Sequence, residues 1–373
     1  PPRPPDDARA ALAGVFAGLV APEQPEPVQL AAVEAAGKLR AEAVAGLLAD
    51  LVTAARPVAV RAAALRALAE VGAPRRGEFH EPQPEGSRSS PLPPEGSQSS
   101  PLRGEPTAAR FTPALNAALA APEPELRRAA IALLGDHAAP DTAAALGRFL
   151  ATETDVPLKQ AALVALARLP GDEATDLLAR QLDEMIAGRM AAVLRLDVTL
   201  AAEARKSPAL DAQLARHRAS LPADPVDALA DVLAGGDAAR GRAVFFEKAE
   251  VQCSRCHQVQ GEGGIVGPAL DGIARRLERR GLLETIVHPN AQIAPGFENV
   301  VLTLQDGRML AGTVKQEDEQ KLLLATGEDG DLTVPKAAIT KRERALSAMP
   351  EGQAELMTRR ELRDLIEYLA GLR

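Results

Sequence analysis

The sequence contains very few aromatic residues and very few cysteines. Its 373 residues include no Trp, one Tyr, seven Phe and two Cys. The apolar fraction of 46% is dominated by Ala and Leu instead. Such a composition favours helices that pack closely through small side chains.

Long hydrophobic runs and a positive charge balance are also missing. No stretch approaches the roughly 18 apolar residues that a membrane-spanning helix needs. The formal net charge of -8 argues against a surface for nucleic acid or anionic membranes. A chain of this length is expected to form about two domains.

The N-terminal part, from residue 8 to about residue 220, reads almost wholly as helix with a recurring pattern. Each copy has one hydrophobe, two mostly polar residues, two small residues and a second hydrophobe. Clear copies begin at Val60, Leu126 and Leu158, and weaker ones at Val28 and Met190. Val28 to Val60 and Leu126 to Leu158 are both spacings of 32 residues. This period predicts an α-solenoid and resembles HEAT repeats, the alternative being an irregular helical bundle.

An insertion interrupts the repeat at residues 73–107, which are rich in Pro, Ser, Gly and Glu. Within it, segment 84–93 is nearly duplicated as segment 94–103. A polar tandem duplication of this kind cannot bury a core. We therefore expect a disordered loop between two helices of the solenoid.

Both cysteines fall in one motif, Cys-Ser-Arg-Cys-His at residues 253–257. This is the spacing of a c-type haem attachment site. Cys253 and Cys256 can each form a thioether to a haem vinyl group, and His257 then becomes the proximal ligand of the iron. The motif predicts one covalent haem c per chain.

Two other chemistries use a Cys-x-x-Cys pair. A structural zinc site needs four ligands, and the chain has no second cysteine pair. A redox-active dithiol is normally found near a βαβ pattern, and none surrounds residues 253–257. Both remain as alternatives to the haem.

The region after the motif supplies candidates for the rest of a haem pocket. Glycines between residues 261 and 267 allow backbone to approach a macrocycle. The carbonyl of Pro268 is a candidate acceptor for the Nδ1 proton of His257, a contact that would fix the ring. The chain ends in a predicted helix from Thr358, which with Glu361 forms a capping-box signature.

Met349 is the predicted sixth ligand, because Met and His are the usual partners in an electron carrier. It lies in a loop before the final helix, and Pro350 stiffens its backbone. The alternatives are Met357 and His288. The remaining methionines are expected to fill the solenoid core or to lie in a strand: Met185, Met190 and Met309.

Residues 297–342 do not belong to a minimal cytochrome. They contain short apolar runs separated by the turn Asp306-Gly307 and by a second turn near Gly330. Asp-Gly is a strong hairpin signal. We predict a small antiparallel β module inserted before the Met349 loop.

From about residue 223 onward, the order of motifs resembles the haem-binding domain of large secreted cytochromes common in planctomycetes and verrucomicrobia. The matching segments are residues 253–257, 266–268, 288–291, 295–298, 306–308, 349–350 and the closing helix. The resemblance implies haem ligation by His257 and Met349. Family members often carry HEAT-like repeats upstream. Many also carry a β-propeller similar to quinoprotein sugar dehydrogenases, which this chain lacks, so no dehydrogenase activity is implied.

The sequence therefore predicts a mainly α protein with a HEAT-like domain (residues 1–222) and a class I-like cytochrome c domain (residues 223–373). The expected function is electron transfer with a redox partner protein, a dehydrogenase or a terminal electron acceptor. One such role is the electron-accepting part of a larger sugar or alcohol dehydrogenase system. The chain begins Pro-Pro-Arg without a signal peptide. Because haem c is attached outside the cytoplasm, we expect a periplasmic or other extracytoplasmic protein whose export signal has been cleaved off or is missing through truncation.

The rival from another class is a haem enzyme. If Met349 does not bind iron, an open distal site would support peroxidase-like chemistry or small-ligand binding. His288 and Arg308 are the most visible distal candidates for such chemistry.

Overall fold

A computed structural model describes residues 6–72, 107–136, 141–326 and 330–373. Residues 73–106 of the predicted insertion lie outside the described part, whereas Thr107 already begins a helix. The chain separates into two compact units, Pro1–Leu178 and Ala179–Arg373. None of the described helices is both long enough and apolar enough to cross a membrane.

The first unit consists of helices that pack against one another. Its described helices are α1 (Asp6–Leu19), α2 (Glu26–Lys38), α3 (Ala45–Thr53), α4 (Val58–Gly72), α5 (Thr107–Leu119), α6 (Pro124–Asp136), α7 (Thr142–Thr152) and α8 (Val156–Arg168). Helix α9 (Asp172–Ile186) begins in this unit and ends in the next. Even-numbered helices stack on one another, with α2 on α4, α4 on α6 and α6 on α8.

The recurring sequence pattern explains this stacking. Its copies lie on α2, α4, α6 and α8, and the first, fifth and sixth positions of the three clear copies are buried. These positions are occupied by Val60, Ala64, Leu65, Leu126, Ala130, Ile131, Leu158, Ala162 and Leu163. The small fifth residue allows neighbouring helices to approach closely. The predicted helical repeat is thus confirmed.

The basic residue at the second position of the pattern joins successive repeats. Arg61 of α4 donates to Glu123, just before α6, with an N–O distance of 2.6 Å. Arg127 of α6 pairs in the same way with Glu153, shortly before α8. Each pair is half-buried. The same position of the sequence pattern therefore forms an equivalent ion pair in two successive repeats.

The second unit combines helices with two small sheets. Its helices are α10 (Ala192–Arg205), α11 (Pro208–Ser220), α12 (Pro225–Ala228), α13 (Ala238–Glu247), α14 (Cys253–Cys256), α15 (Ile273–Arg276), α16 (Arg279–Val287) and α17 (Arg359–Ala370). Its strands are β1 (Gln258–Val259), β2 (Glu262–Gly263), β3 (Asn299–Leu304), β4 (Met309–Glu317), β5 (Lys321–Thr326), β6 (Gly330–Pro335) and β7 (Ile339–Arg344).

Helices α13 and α17 cross at the centre of this unit. The side chain of Asp237 caps α13, and Thr358 with Glu361 forms the predicted capping box of α17. Gly241 sits at the crossing, where an added Cβ would lie 1.9 Å from the carbonyl oxygen of Asp364. Only glycine permits this approach. The crossing surrounds Phe245, which is 1% exposed.

The predicted β module is confirmed as a five-stranded antiparallel sheet with strand order β6-β5-β4-β3-β7. The Asp306-Gly307 turn joins β3 to β4, and Gly307 has φ of +83°. The sheet has its own small core, formed by Val300, Leu302, Leu304, Val314, Leu322, Leu324 and Val334. Its last strand, β7, delivers the chain to the Met349 loop.

Helices α10 and α11 group with the C-terminal unit. Leu196 of α10 lies in the same buried cluster as Phe245 and Ile366. The division at residues 178 and 179 therefore differs from the predicted domain boundary at residue 222, which stays a prediction.

Candidate functional site

The two cysteines mark the ends of the short helix α14, and His257 follows directly. The glycine-rich segment folds back over this helix through two backbone hydrogen bonds of 2.8 Å. The amide of Gly264 donates to the carbonyl of Ser254, and the amide of Gly267 donates to the carbonyl of Cys256. The motif is thus held between its own helix and the following loop.

The imidazole of His257 has a fixed orientation. Its Nδ1 atom lies 2.8 Å from the carbonyl oxygen of Pro268. A carbonyl oxygen only accepts, so Nδ1 donates the proton and Nε2 carries the free lone pair. A Cβ on Gly267 would lie 2.6 Å from the imidazole Cε1, so this glycine is required by the ring beside it. The result is an imidazole prepared to ligate through Nε2.

The environment of Cys253 does not suit a redox dithiol. Burial raises the pKa of its thiol to about 11. Redox-active cysteines work through a thiolate, with pKa values lowered to about 3.5–7.5 by nearby positive charge or a helix N-terminus. The thiol of Cys253 therefore stays protonated at neutral pH, which argues against the dithiol alternative.

The five predicted site residues line one cavity with a volume of about 420 Å³. They are Cys253, Cys256, His257, Pro268 and Met349. Most of the other lining side chains are apolar: Phe245, Val251, Leu270, Ile273, Leu277, Leu282, Ile286, Ile293, Leu365 and Leu369. The cavity therefore offers two thiols, one imidazole and one thioether within an apolar wall.

Among the five methionines, all of which lie in the described part, only Met349 lines this cavity. Met357 is buried in the neighbouring core at 9% exposure, whereas Met309 is 66% exposed on β4. Met185 is buried and accepts a hydrogen bond from Thr199. The structure therefore separates Met349 from the alternative methionines.

The distal candidates of the enzyme hypothesis lie elsewhere. His288 caps the C-terminus of α16, and Arg308 pairs with Asp306 in the β3–β4 turn at 2.8 Å. Neither side chain lines the described cavity.

The β module contributes to the cavity wall, which sequence analysis did not predict. Phe297, Asn299 and Thr313 line the cavity. Nζ of Lys315 lies 5.2 Å from the centre of the Phe297 ring, a cation–π contact. Alternating apolar residues in a strand indicate a buried face but do not show what that face contacts, so no sequence signal identifies these three residues.

Arg276 is a second residue that the sequence did not single out. It is the only Lys, Arg, Asp or Glu among the lining side chains. Within the described residues it has no carboxylate partner in hydrogen-bond or ion-pair contact. A single unpaired cation beside an apolar cavity suits a ligand that carries carboxylates. The propionate groups of haem are such carboxylates.

The donor set fits haem c. The thiols are placed to form thioethers, the imidazole is oriented, the thioether lies in the same cavity, and a cation is available for the propionates. Within the described residues, no group of three or more His, Cys, Asp or Glu side chains is arranged to hold a metal ion.

Comparison with family sequence models gives two matches. Residues 112–196 match HEAT repeats, and residues 238–323 match cytochrome c. The chain therefore contains a HEAT-repeat region and a cytochrome c domain, and the latter implies haem c. The cytochrome c match covers residues 253–257 and Pro268 but ends before Met349. No curated protein matches the chain.

Proposed function

We propose that this protein is an extracytoplasmic c-type cytochrome that carries one haem and transfers electrons. The observation that carries the proposal is the single cavity shared by Cys253, Cys256, His257 and Met349. A cytochrome c domain supports a haem electron-transfer role in general. The number of haems and the sixth ligand are parts of the proposal.

Each site residue has a distinct task. Cys253 and Cys256 anchor the macrocycle through thioethers, while His257 ligates through Nε2 because Pro268 holds its Nδ1 proton. Met349 supplies the sixth ligand. Haem, when bound, supplies a one-electron iron couple, and a Met/His ligand pair raises its reduction potential.

The cavity wall supports the same function. Apolar side chains exclude water, which limits reorganisation when the charge changes and favours the less charged ferrous state. Arg276 pairs with the propionates and offsets their negative charge.

The redox partner and the location are finer parts of the proposal. Haem c attachment occurs outside the cytoplasm, which supports an extracytoplasmic site. The order of motifs supports the resemblance to the secreted planctomycete and verrucomicrobial cytochromes. We take the partner to be a dehydrogenase or a terminal electron acceptor, with the HEAT repeats as the interaction domain.

The test uses protein produced with the haem-attachment machinery. Mass spectrometry under denaturing conditions is expected to show one covalent haem per chain. The ferrous protein is expected to resist carbon monoxide at neutral pH, because Met349 occupies the sixth position. Ready binding of carbon monoxide would favour the haem-enzyme alternative. Absence of covalent haem would overturn both and return the cysteines to metal or dithiol chemistry.

A further inference from the structure

Asn290 connects the end of α16 to the loop that carries Met349. Its Oδ1 accepts the backbone N–H of Ser347 at 2.7 Å. Its Nδ2 donates to Oε1 of Glu351 at 2.6 Å. These two partners stand two residues before and two residues after Met349, so one side-chain amide holds the loop on both sides of the proposed ligand.

Asn290 is itself held in place. Its backbone carbonyl oxygen accepts a hydrogen bond of 2.9 Å from the guanidinium of Arg344 at the end of β7. The preceding Pro289 is buried and lines the cavity. Helix α16 is tied to α17 by a bidentate pair between Arg279 and Glu367, with both N–O distances 2.7 Å. The amide thus projects from a rigid part of the unit.

The loop has further support from the β module. The carbonyl of Asn299 on β3 accepts the amide of Ala345 at 2.8 Å, and its Nδ2 donates to the carbonyl of Leu346 at 3.0 Å. The amide of Met349 donates to Oγ of Ser347 at 3.1 Å. Several hydrogen bonds therefore fix residues 345–349, and among the described residues it is Asn290 that also binds Glu351.

Asn290 does not line the cavity, whereas Met349 does. Its hydrogen bonds to Ser347 and Glu351 instead tie it to the loop that carries Met349. We propose that Asn290 is a positioning residue whose amide holds Met349 in reach of the iron and so sets how readily another ligand displaces it. This inference rests on the proposed function, because it requires Met349 as the sixth ligand.

A thioether is a neutral, weak ligand, so its retention depends on how little its loop moves. A free loop would let an external nitrogen donor compete for ferric iron. Imidazole is a suitable probe, since it replaces Met349 without altering His257. The equilibrium constant for this replacement measures how firmly the loop holds the ligand.

The test compares haem-loaded full-length proteins by imidazole titration of the ferric state. Asn290→Ala is expected to bind imidazole about tenfold more tightly than wild type, the factor expected from losing two ordinary hydrogen bonds. The matched control is Gln305→Ala, which removes an amide bond of 2.9 Å to the carbonyl of Ala337 within the sheet. The control is expected to leave imidazole binding unchanged.

A pair of substitutions that exchanges the hydrogen-bonding groups of Asn290 and Glu351 distinguishes a positioning role of Asn290 from a general effect on folding. Asn290→Asp keeps an oxygen that accepts from the amide of Ser347, but it places a second carboxylate beside that of Glu351. The two carboxylates repel each other and loosen the loop, so imidazole should again bind more tightly than in wild type. Adding Glu351→Gln supplies a donor and restores the bridge, and the double variant is expected to return toward wild type. Because neither substitution changes the backbone or the size of the side chains, this pair remains informative if Asn290→Ala does not fold.

The outcomes are distinct. Tighter imidazole binding in Asn290→Ala and recovery in the double variant support the inference. A wild-type protein with the Met–Fe(III) far-red band, but with equal imidazole affinity in all Asn290 variants, would overturn the inference and leave the proposed function intact. A wild-type protein without that band would overturn Met349 ligation and the inference together.

Discussion

Nη1 of Arg363 donates to Oδ2 of Asp197 at 2.6 Å, and the two side chains are only 3% and 1% exposed. Asp197 belongs to α10 and Arg363 to α17, the closing helix of the cytochrome unit. Arg360 adds a second cation 3.8 Å from Oδ1 of Asp197. A buried ion pair thus joins α10 to the helix that lines the cavity through Leu365 and Leu369.

Breaking this pair should be costly. Asp197→Ala leaves a buried, unpaired guanidinium and is expected to lower the free energy of unfolding by about 3–5 kcal/mol. Replacing both partners, as Asp197→Leu with Arg363→Met, is expected to recover most of the loss. Urea unfolding followed by haem absorbance measures the effect in this unit.

The control for that series is Glu184→Ala, which breaks an exposed pair with Arg189 whose N–O distance is 2.7 Å. It is expected to lower stability far less than Asp197→Ala does, because solvent screens an exposed pair. Equal losses for Asp197→Ala and Glu184→Ala would contradict the structural role assigned to the buried pair.

The same pair bears on the domain boundary. A chain that begins at residue 223 lacks Asp197 and leaves Arg363 without its partner, whereas a chain that begins at residue 179 keeps both. We expect the longer fragment to retain haem and to unfold at a higher urea concentration. If residues 223–373 match it in stability, the boundary predicted at residue 222 is the better description.

Sequence patterns could predict the helical repeat, but they could not predict at which residue the repeat domain ends and the C-terminal unit begins. The copies at Val60, Leu126 and Leu158 show their period because each helix buries the same positions against its neighbours. Asp197 carries no such signal, since its partner lies 166 residues away. Contacts of this range depend on the assembled fold, and a single sequence does not show them.

Gly267 offers a test of the proximal side. An alanine there places a Cβ 2.6 Å from Cε1 of His257, which forces the ring or the loop to move. We expect Gly267→Ala to lower the free energy of unfolding of the haem-loaded protein by about 1–3 kcal/mol. Haem absorbance during urea unfolding reports the change.

Gly281 is the matched control, because it lies within α16 and an added Cβ would come no closer than 3.4 Å to Leu277. Gly281→Ala is expected to raise stability by up to about 1 kcal/mol through the higher helix propensity of alanine. The two glycine substitutions should therefore act in opposite directions, and a common sign would count against the close approach at His257.

Arg276 tests the charge at the cavity. Removing its cation leaves the propionates less compensated, which favours ferric over ferrous iron. We expect Arg276→Gln to lower the midpoint potential by about 30 mV, equivalent to about a threefold change in the redox equilibrium. Spectroelectrochemical titration gives the value.

Arg275→Gln removes the same charge one residue away, from a side chain that does not line the cavity. It is expected to shift the potential by less than half as much, and added salt should erase its effect first. Equal shifts of the midpoint potential in Arg276→Gln and Arg275→Gln would show that the potential depends on the net charge of the protein and not on the position of Arg276 at the cavity.

The residues on the proximal side of the site could be predicted from the sequence because they lie close together along the chain. Cys253, Cys256 and His257 are adjacent, and Pro268 follows within a short loop. The distal half was accessible only as a candidate, since Met349 lies 92 residues from His257 and is brought to the cavity by the β module. Asn290 and Asn299 contact the Met349 loop, and Arg276 lines the cavity, only in the assembled fold, so their residue types alone gave no indication of these positions.

The central claim is that Met349 ligates the haem, and sulfur-specific substitutions test it most directly. Ferric absorption spectra of Met349→Leu and Met357→Leu would be compared with wild type, since Met-to-Leu changes keep side-chain volume nearly constant. We expect a weak far-red Met–Fe(III) band in wild type and Met357→Leu, and its loss in Met349→Leu. Retention of the band in Met349→Leu, or a high-spin wild-type spectrum, would show that Met349 does not ligate the iron.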